Sequence, residues 1–394
     1  MNETIHMPVG EVCSSISDTY REKKNMVTLI NTSDVLEGRV LNHERVPNSN
    51  LKGQFKKTFQ RDDILYSEIR PQNRRFAYVD FSPIDYIAST KLMVIRAKKD
   101  VVSPKYLYYF LKNSSTVAEL QLLAETRSGT FPQITFSEVA NLTIPVPSLA
   151  VQEVIVQTMQ CLEDKITCNE QINDNLEQQA QAIYHERFET ASPDDLHSGW
   201  RTVTLGEVAT ILNKSFNPLK EPEMLLEHYS IPAFDEARFP VFDLSTSIKS
   251  NKFIIDASCF MISKLNPTTK RVWKPYCLTG NAVCSTEFIV YKAKDKTITD
   301  FLYSVIDSNS FSDFMCSHVT GSTGSRQRTT PSDTLSYELI LPSEDDLAEF
   351  QSLVSPMYAQ IRINAIENDR LKRLRDSLLP KLMSGEIDVS AVQL

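Results

Sequence analysis

The feature that most constrains this chain is a long segment that occurs twice. Apolar residues recur between positions 155 and 183 at steps of three and four, the spacing of a coiled-coil seam. Adding 195 to each position gives a second seam between 350 and 378, and each seam contains two asparagines. The seam residues are Ile155, Met159, Leu162, Ile166, Asn169, Asn173, Leu176, Ile183, Phe350, Met357, Ile361, Asn364, Asn368, Leu371 and Leu378. One chain therefore carries both partners of a helix pair.

The repeat extends through most of the 394 residues. Residues 9–12 match 205–208, and 147–148 match 342–343, so that one half-chain is about 196 residues. Four of the eight positions from 169 to 176 are identical to their copies, whereas chance identity is roughly one position in twenty. The predicted domains are a first globular domain at 1–147, a central helix at 148–190, a second globular domain at 191–341, and a C-terminal helix with its tail at 342–394.

The fold class predicted from these patterns is α+β. Short β-branched and aromatic runs alternate with short helical patterns in each globular domain. We expect the two long helices to pair as an antiparallel coiled coil with an internal pseudo-two-fold. The asparagines would then fix its register, although they could instead face solvent. Pro356 lies inside the second helical pattern and should kink or restart that helix near residues 352–355.

Composition indicates an ordinary soluble protein. Hydrophobic residues make up 41% and charged residues 23% of the chain, and no apolar run is long enough to span a membrane. The first ten residues lack the pattern of a signal peptide. Seven cysteines without a CxxC pair indicate free thiols. We therefore expect a cytoplasmic protein with no metal site.

Sequence motifs for catalysis are missing. There is no P-loop, no GxGxxG, no HExxH and no GxSxG, and neither Asn-Pro dipeptide continues into the signature of an adenine methyltransferase. We therefore predict no catalytic residues in this chain.

Basic residues are concentrated at matching places in the two copies. The net charge is −8, yet residues 52–75 have a local charge of +4 and residues 249–274 one of +5. Such stretches are often plain solvated surface, but their recurrence, with glutamine and aromatic residues between them, favours DNA binding. The candidate DNA-binding residues here are Lys52, Lys56, Lys57, Arg61, Arg70, Gln72, Arg74, Arg75, Lys264, Lys270, Arg271 and Lys274.

A glycine-containing segment also recurs, ahead of the last strand of each globular domain. Glycine with small hydroxyl residues allows the backbone to approach a phosphate, and Gln or Arg can bond to a base edge. A plain tight turn is an equally good interpretation. The candidates are Arg127, Ser128, Gly129, Thr130 and Gln133 in the first copy and Gly324, Ser325, Arg326, Gln327 and Arg328 in the second.

Taken together, these residues resemble the DNA-specificity subunit of type I restriction-modification systems. Residues 374–387, Leu-Arg-Asp-Ser-Leu-Leu-Pro-Lys-Leu-Met-Ser-Gly-Glu-Ile, are very typical of that family. Residues 228–235, His-Tyr-Ser-Ile-Pro-Ala-Phe-Asp, are similar to a common start of its recognition domains. The resemblance covers nearly the whole chain.

The resemblance implies a non-catalytic subunit whose two target-recognition domains each read one half of a bipartite DNA site. The helices would set the unread spacer and hold two methyltransferase subunits, and ATP-dependent restriction subunits would join for cleavage. No cofactor would bind this chain, because S-adenosylmethionine, ATP and Mg²⁺ would be used by the partner subunits. The alternatives are a coiled-coil scaffold and an uncharacterised DNA-modifying enzyme.

Overall fold

The computed structural model describes residues 4–49, 53–126, 132–189, 197–320 and 327–389. The chain divides into two compact units. The first unit comprises Met1–Ile166 with Arg370–Leu394, and the second unit comprises Thr167–Asp369. Each unit therefore contains one globular region and parts of two long helices, Leu149–Tyr184 and Glu344–Ser384. The predicted α+β class, with two globular domains and two long helices, is confirmed.

The globular region of the first unit contains two four-stranded sheets. One sheet is wholly antiparallel and has the strand order Cys13–Ile16, Leu92–Ala97, Ile64–Ser67, Phe76–Tyr78. The other has the order Val46–Pro47, Met26–Ile30, Tyr86–Ser89, Phe55–Lys57, and its two central strands are parallel. The remaining strands form two short pairs, Ile5–Pro8 with Thr143–Val146 and Val35–Leu36 with Arg39–Val40. The shorter helices are Val9–Val12, Thr32–Asp34, Pro71–Asn73, Pro104–Lys112, Ser114–Thr126 and Phe136–Asn141.

The second unit has a similar topology, with a fifth strand in its mixed sheet and its second short pair at a different place in the chain. Its antiparallel sheet has the order Ala209–Leu212, Phe288–Ala293, Cys259–Ser263, Val272–Trp273. Its other sheet has the order Ser215–Phe216, Lys252–Ile254, Ala282–Ser285, Leu225–Tyr229, Val241–Leu244, again with one parallel pair. Two short pairs follow, Arg201–Thr204 with Glu338–Leu341 and Val319–Thr320 with Arg328–Thr329. The shorter helices are Leu205–Val208, Pro218–Lys220, Ile231–Ala237, Ser245–Ser247, Lys296–Ile298, Thr299–Ile306, Asn309–Ser317 and Pro331–Thr334.

The ends of the long helices complete the hydrophobic core of each unit. In the first unit Ile155 and Met159, near the start of one helix, pack in the same core as Leu379 and Leu382, near the end of the other. In the second unit Tyr184 and Phe350 share a core with the globular region. The first long helix continues into a π-helical turn, His185–Glu189. Within each unit the two helix segments therefore run antiparallel.

The second long helix runs without a break across Pro356. The expected restart near residues 352–355 is wrong. Pro356 is exposed, and so is Ser352 one turn earlier, the residue whose carbonyl a proline cannot pair. Val354 and Tyr358 on either side are buried in the core of the second unit, and this packing holds the helix through the proline.

Four asparagines, three of them buried and Asn173 partly buried, form a polar layer between the long helices within the second unit. The Asn169 Nδ2 donates to Asn368 Oδ1 at 2.9 Å, and the Asn364 Nδ2 donates to Asn173 Oδ1 at 2.8 Å. Asn169 also donates to Glu367 Oε2 at 2.7 Å. Among the residues the structure describes, Asn169 Oδ1 is a buried acceptor without a hydrogen-bond partner. The seam positions proposed from sequence are all buried or partly buried.

Replacing one member of this layer should destabilise the second unit more than replacing a bonded pair. Asn368→Leu leaves the buried Asn169 amide without that acceptor and should lower the free energy of unfolding by about 1–3 kcal/mol. The double variant Asn169→Leu, Asn368→Leu should recover at least part of that loss, because it also removes the unpartnered Asn169 oxygen. Both tryptophans, Trp200 and Trp273, belong to the second unit, so tryptophan fluorescence during urea unfolding follows it.

Gln179→Leu is the matched control, because Gln179 is exposed on the same helix. It should change the free energy of unfolding by less than about 0.5 kcal/mol. Equal losses from the single and double layer variants would contradict the pairing.

A largely buried histidine should make the second unit sensitive to acid. His228 Nδ1 lies 2.9 Å from Asp243 Oδ2, and within the described part of the chain its Nε2 is buried without a partner. Burial lowers the pKa of His228 below its usual 6.5, and the bond with Asp243 opposes this only in part. The unfolded chain therefore binds a proton at His228 more readily, so stability should fall as pH decreases through 6.5. In His228→Gln, urea unfolding followed by tryptophan fluorescence should show a smaller loss between pH 7 and 5.

Candidate nucleic-acid interface

In each unit the candidate site begins at a turn that follows the third strand of the antiparallel sheet. A buried serine, Ser67 in the first unit and Ser263 in the second, ends that strand. Its Oγ accepts from the backbone N–H two residues later, at 3.1 Å from Ile69 and 3.2 Å from Leu265. The same hydroxyl donates to the carbonyl of that residue in both units. The residues that follow are named here the strand-end loop, 68–75 in the first unit and 264–271 in the second.

Each strand-end loop is bonded to a second segment, named here the return segment, 132–134 in the first unit and 327–329 in the second. The N–H of Arg70 donates to the carbonyl of Pro132 at 3.1 Å, and the N–H of Asn266 donates to that of Gln327 at 2.9 Å. Isolated antiparallel bridges join Ile69 to Gln133 and Leu265 to Arg328. The basic stretch and the segment after the glycine-containing sequence, separate in the chain, therefore meet in both units.

Charged side chains hold the two loops differently. In the first unit Glu68 Oε2 lies 3.6 Å from Lys91 Nζ. The equivalent positions in the second unit carry the opposite charges, Lys264 and Glu287, and there Glu287 accepts two bonds from Arg328, at 3.0 and 3.1 Å. These bonds raise the pKa of the Arg328 guanidinium. Arg328 thus anchors the return segment of the second unit to the sheet.

Several basic residues of the first unit are bonded to the protein itself. The Lys57 Nζ donates to the carbonyls of Thr90 and Leu92 at 3.1 and 2.7 Å, and burial lowers the pKa of Lys57. Arg75 donates to the carbonyl of Ser33 at 3.0 Å. Arg74 donates to Ser114 Oγ at 2.9 Å. These three side chains stabilise the structure of the site. Because their donor groups are partly occupied within the protein, they are less available to a ligand.

Other candidates of the first unit face solvent. Lys56, Arg61, Arg70 and Gln72 are exposed, and Gln133 is partly buried beside the strand-end loop. Gln72 and Arg74 line a groove of about 380 Å³ against the helix Ser114–Thr126. Exposed polar and basic groups beside an open groove can contact phosphates and base edges.

In the second unit, carboxylates neutralise much of the basic stretch. Lys270 Nζ lies 2.9 Å from Asp307 Oδ1, and Arg271 makes two bonds to Asp235, at 2.6 and 2.9 Å. Lys274 is paired with Asp300. Lys264 and Gln327 are partly buried. The local charge of +5 counted along the sequence is therefore offset by acidic residues from other parts of the fold.

Sequence reasoning missed those acidic partners. Asp235 lies 36 residues from Arg271, and Asp300 lies 26 residues from Lys274. No local spacing rule could have found them, because the sheet and helices bring them together. One signal was available for the lysines: successive side chains of a strand point to opposite faces, so Lys56 and Lys57 had to differ in exposure.

Part of the predicted interface lies outside the described residues. This applies to Lys52, Arg127, Ser128, Gly129, Thr130, Gly324, Ser325 and Arg326. Their proposed contacts with DNA remain predictions.

No three His, Cys, Asp or Glu side chains of the described residues are grouped so that they could hold a metal ion. No helix in the same residues has both the length and the apolar character needed to cross a membrane.

Comparison with known proteins gives consistent similarities. A family model described as the type I restriction modification DNA specificity domain matches residues 6–178. The type I restriction enzyme HindI specificity subunit of Haemophilus influenzae is 28% identical over 480 aligned positions, covering 98% of this chain and 100% of that protein.

Two solved structures show a similar fold. One is a type I restriction-modification system S subunit from M. genitalium, with a TM-score of 0.54, 15% identity, and coverage of 97% of this chain and 96% of that one. The other comes from a study of complex assembly and conformational transition of the type I R-M system. Its TM-score is 0.50 at 19% identity, and the match covers 98% of each chain.

Substitution of two adjacent lysines, Lys56 and Lys57, should distinguish a side chain that stabilises the fold from one that only adds surface charge. Lys57→Met removes the donor to two carbonyls and should lower the free energy of unfolding by about 1–3 kcal/mol. Lys56→Ala, on the exposed face of the same strand, should change it by less than about 0.5 kcal/mol. Guanidinium unfolding followed by far-ultraviolet circular dichroism compares the two variants. Equal effects would mean that Lys57 does not stabilise the fold through these bonds.

Proposed function

Because the chain belongs to the family of type I restriction-modification specificity subunits, we propose that each unit reads one half of a bipartite DNA site. The observation that carries this proposal is the loop pair. In both units the same backbone bonds join a strand-end loop to a return segment, while the side chains on these loops differ. A shared frame with different polar groups is what two readers of different sequences require.

The contacts with DNA divide by chemistry. Exposed Lys56 and Arg61 suit phosphates, which supply affinity irrespective of sequence. Arg70, Gln72 and Gln133 lie where the two loops of the first unit meet and suit base edges. In the second unit Gln327 lies where the strand-end loop meets the return segment. Its neighbour Arg328 holds the return segment in place by donating to Glu287.

The long helices have a separate role in this proposal. They set the length of the unread spacer and provide the surface that binds two methyltransferase subunits. The asparagine layer supports this role, because buried amide pairs favour one helix register over others. Restriction subunits that hydrolyse ATP would complete the complex in the cytoplasm.

We propose that catalysis belongs to the partners. The methyltransferase subunits would bind S-adenosylmethionine and flip an adenine out of the duplex, and ATP and Mg²⁺ would serve the other subunits. This chain would supply sequence choice and assembly. Neither a coiled-coil scaffold without DNA nor a DNA-modifying enzyme has a specific observation in its favour.

Exchange of one globular region tests the division of labour. Residues 4–146 would be replaced by the corresponding region of another family member, and the chain would be expressed with its methyltransferase subunits. Sequencing of methylated positions in host DNA should then show a change in one half of the motif, with the other half and the spacer length retained. A change in both halves would refute independent reading by the two units.

Salt dependence tests the phosphate contacts in the same complex. The logarithm of the DNA association constant should fall linearly with the logarithm of salt concentration, and Lys56→Ala should reduce the slope by about one. The motif itself should stay the same. An unchanged slope would remove Lys56 from the interface.

A further inference from the structure

The strand-end loop of the first unit contains two arginines in an unfavourable backbone conformation. Arg70 has φ of 45° and Arg74 has φ of 51°, both in the left-handed region. Residues with a Cβ rarely adopt this region, and asparagine and aspartate tolerate it best. Such conformations persist where the surrounding structure enforces them, often at sites of function.

The second unit shows what the turn itself requires. Asn266 occupies the position equivalent to Arg70, with φ of 51°. Its side chain accepts from Thr268 Oγ1 at 3.0 Å and donates to Thr269 Oγ1 at 3.3 Å, so it stabilises its own loop. The backbone bonds that Arg70 and Asn266 themselves make are equivalent: each N–H donates to the return segment, and each carbonyl accepts from the N–H three residues later. An asparagine is therefore sufficient to form this turn.

The Arg70 side chain is exposed, and its N–H is bonded to the carbonyl of Pro132 in the return segment. Arg70 thus stands at the junction of the two loops, at a position where the fold would accept a better-suited residue.

We propose that Arg70 is a specificity-determining residue of the first unit and that it reads a guanine in the half-site which this unit recognises. Guanidinium is the group that bonds most often to guanine, through O6 and N7 in the major groove. The inference rests on the proposed function, in which the loop pair faces DNA. It goes beyond that function by assigning Arg70 one base, guanine, and a role in sequence choice rather than in general affinity.

Arg70→Asn tests it, because this substitution installs the residue that the second unit carries at the same place. Thermal stability should be equal to or above that of the original chain, since asparagine adopts the left-handed region more readily. The complex with methyltransferase subunits would be incubated with DNA carrying a randomised bipartite site, and methylated molecules would be sequenced. The preference for guanine at one position of one half-site should fall about 5- to 150-fold, with the other half-site unchanged.

Two further variants serve as controls. Arg61→Asn removes an exposed arginine from the same basic stretch outside the strand-end loop, and it should weaken binding to all sequences alike without changing the motif. Arg70→Lys keeps a donor able to reach guanine and should retain part of the preference.

The outcomes separate the inference from its premise. A uniform loss of affinity in Arg70→Asn would make Arg70 a phosphate contact, and an unchanged motif with unchanged affinity would place it outside the interface. Either result overturns the inference. A lower thermal stability would overturn the argument from backbone conformation. If the original complex methylates no bipartite motif at all, the proposed function fails, whatever Arg70 does.

Discussion

Two hydrogen bonds between asparagines set the register of the long helices within the second unit. Asn169 bonds to Asn368 and Asn364 bonds to Asn173, and each bond is the repeat-equivalent of the other. Only an antiparallel pairing in one register satisfies both. A shift of either helix by one turn would leave a single pair of facing asparagines and take the amide partner from the other two, which is unfavourable. The layer leaves Asn169 Oδ1 without a partner among the described residues. It therefore favours one helix register over others, but it lowers the stability of the second unit.

Antiparallel pairing of a repeated sequence has a consequence for the globular regions. The start of the first long helix and the end of the second complete the core of the first unit, through Met159 and Leu382. The opposite ends complete the second core, through Tyr184 and Phe350. The residues differ because the two helices end differently in sequence, with aromatic residues in one and Leu, Met and Pro in the other. Neither globular region has a complete core without both helices.

The fold was more predictable from sequence than the candidate site was. A period of about 196 residues and a seam with two asparagines are properties of the sequence itself, and they led to two α+β regions and paired helices. The continuity at Pro356 was not predictable, because it depends on Val354 and Tyr358 being buried in the core of the second unit. The sequence rule that proline interrupts a helix takes no account of how the neighbouring residues pack in the folded chain.

Counting charge along the chain did not show which basic residues are paired within the fold. Arg271 and Lys274 contribute to the local charge, but the folded chain pairs them with Asp235 and Asp300. Lys57 has the same charge as its neighbour Lys56, yet it is turned towards two carbonyls of the sheet. The charge that faces a ligand is therefore a property of the tertiary structure. It is smaller, and lies in fewer places, than the sequence indicates.

The two loop pairs show how folding and recognition can be separated. A buried serine hydroxyl, a left-handed residue and one backbone bond to the return segment recur in both units, and none of them needs a particular exposed side chain. Each loop has an ion pair beside it, but the partners differ: Glu68 with Lys91 in the first unit and Glu287 with Arg328 in the second. Both units therefore keep an ion pair near the loop, with the charges at different positions. Because the backbone bonds hold the loop, exposed side chains can differ without loss of the fold. One duplicated scaffold can therefore present two different surfaces, which is the condition for reading an asymmetric site.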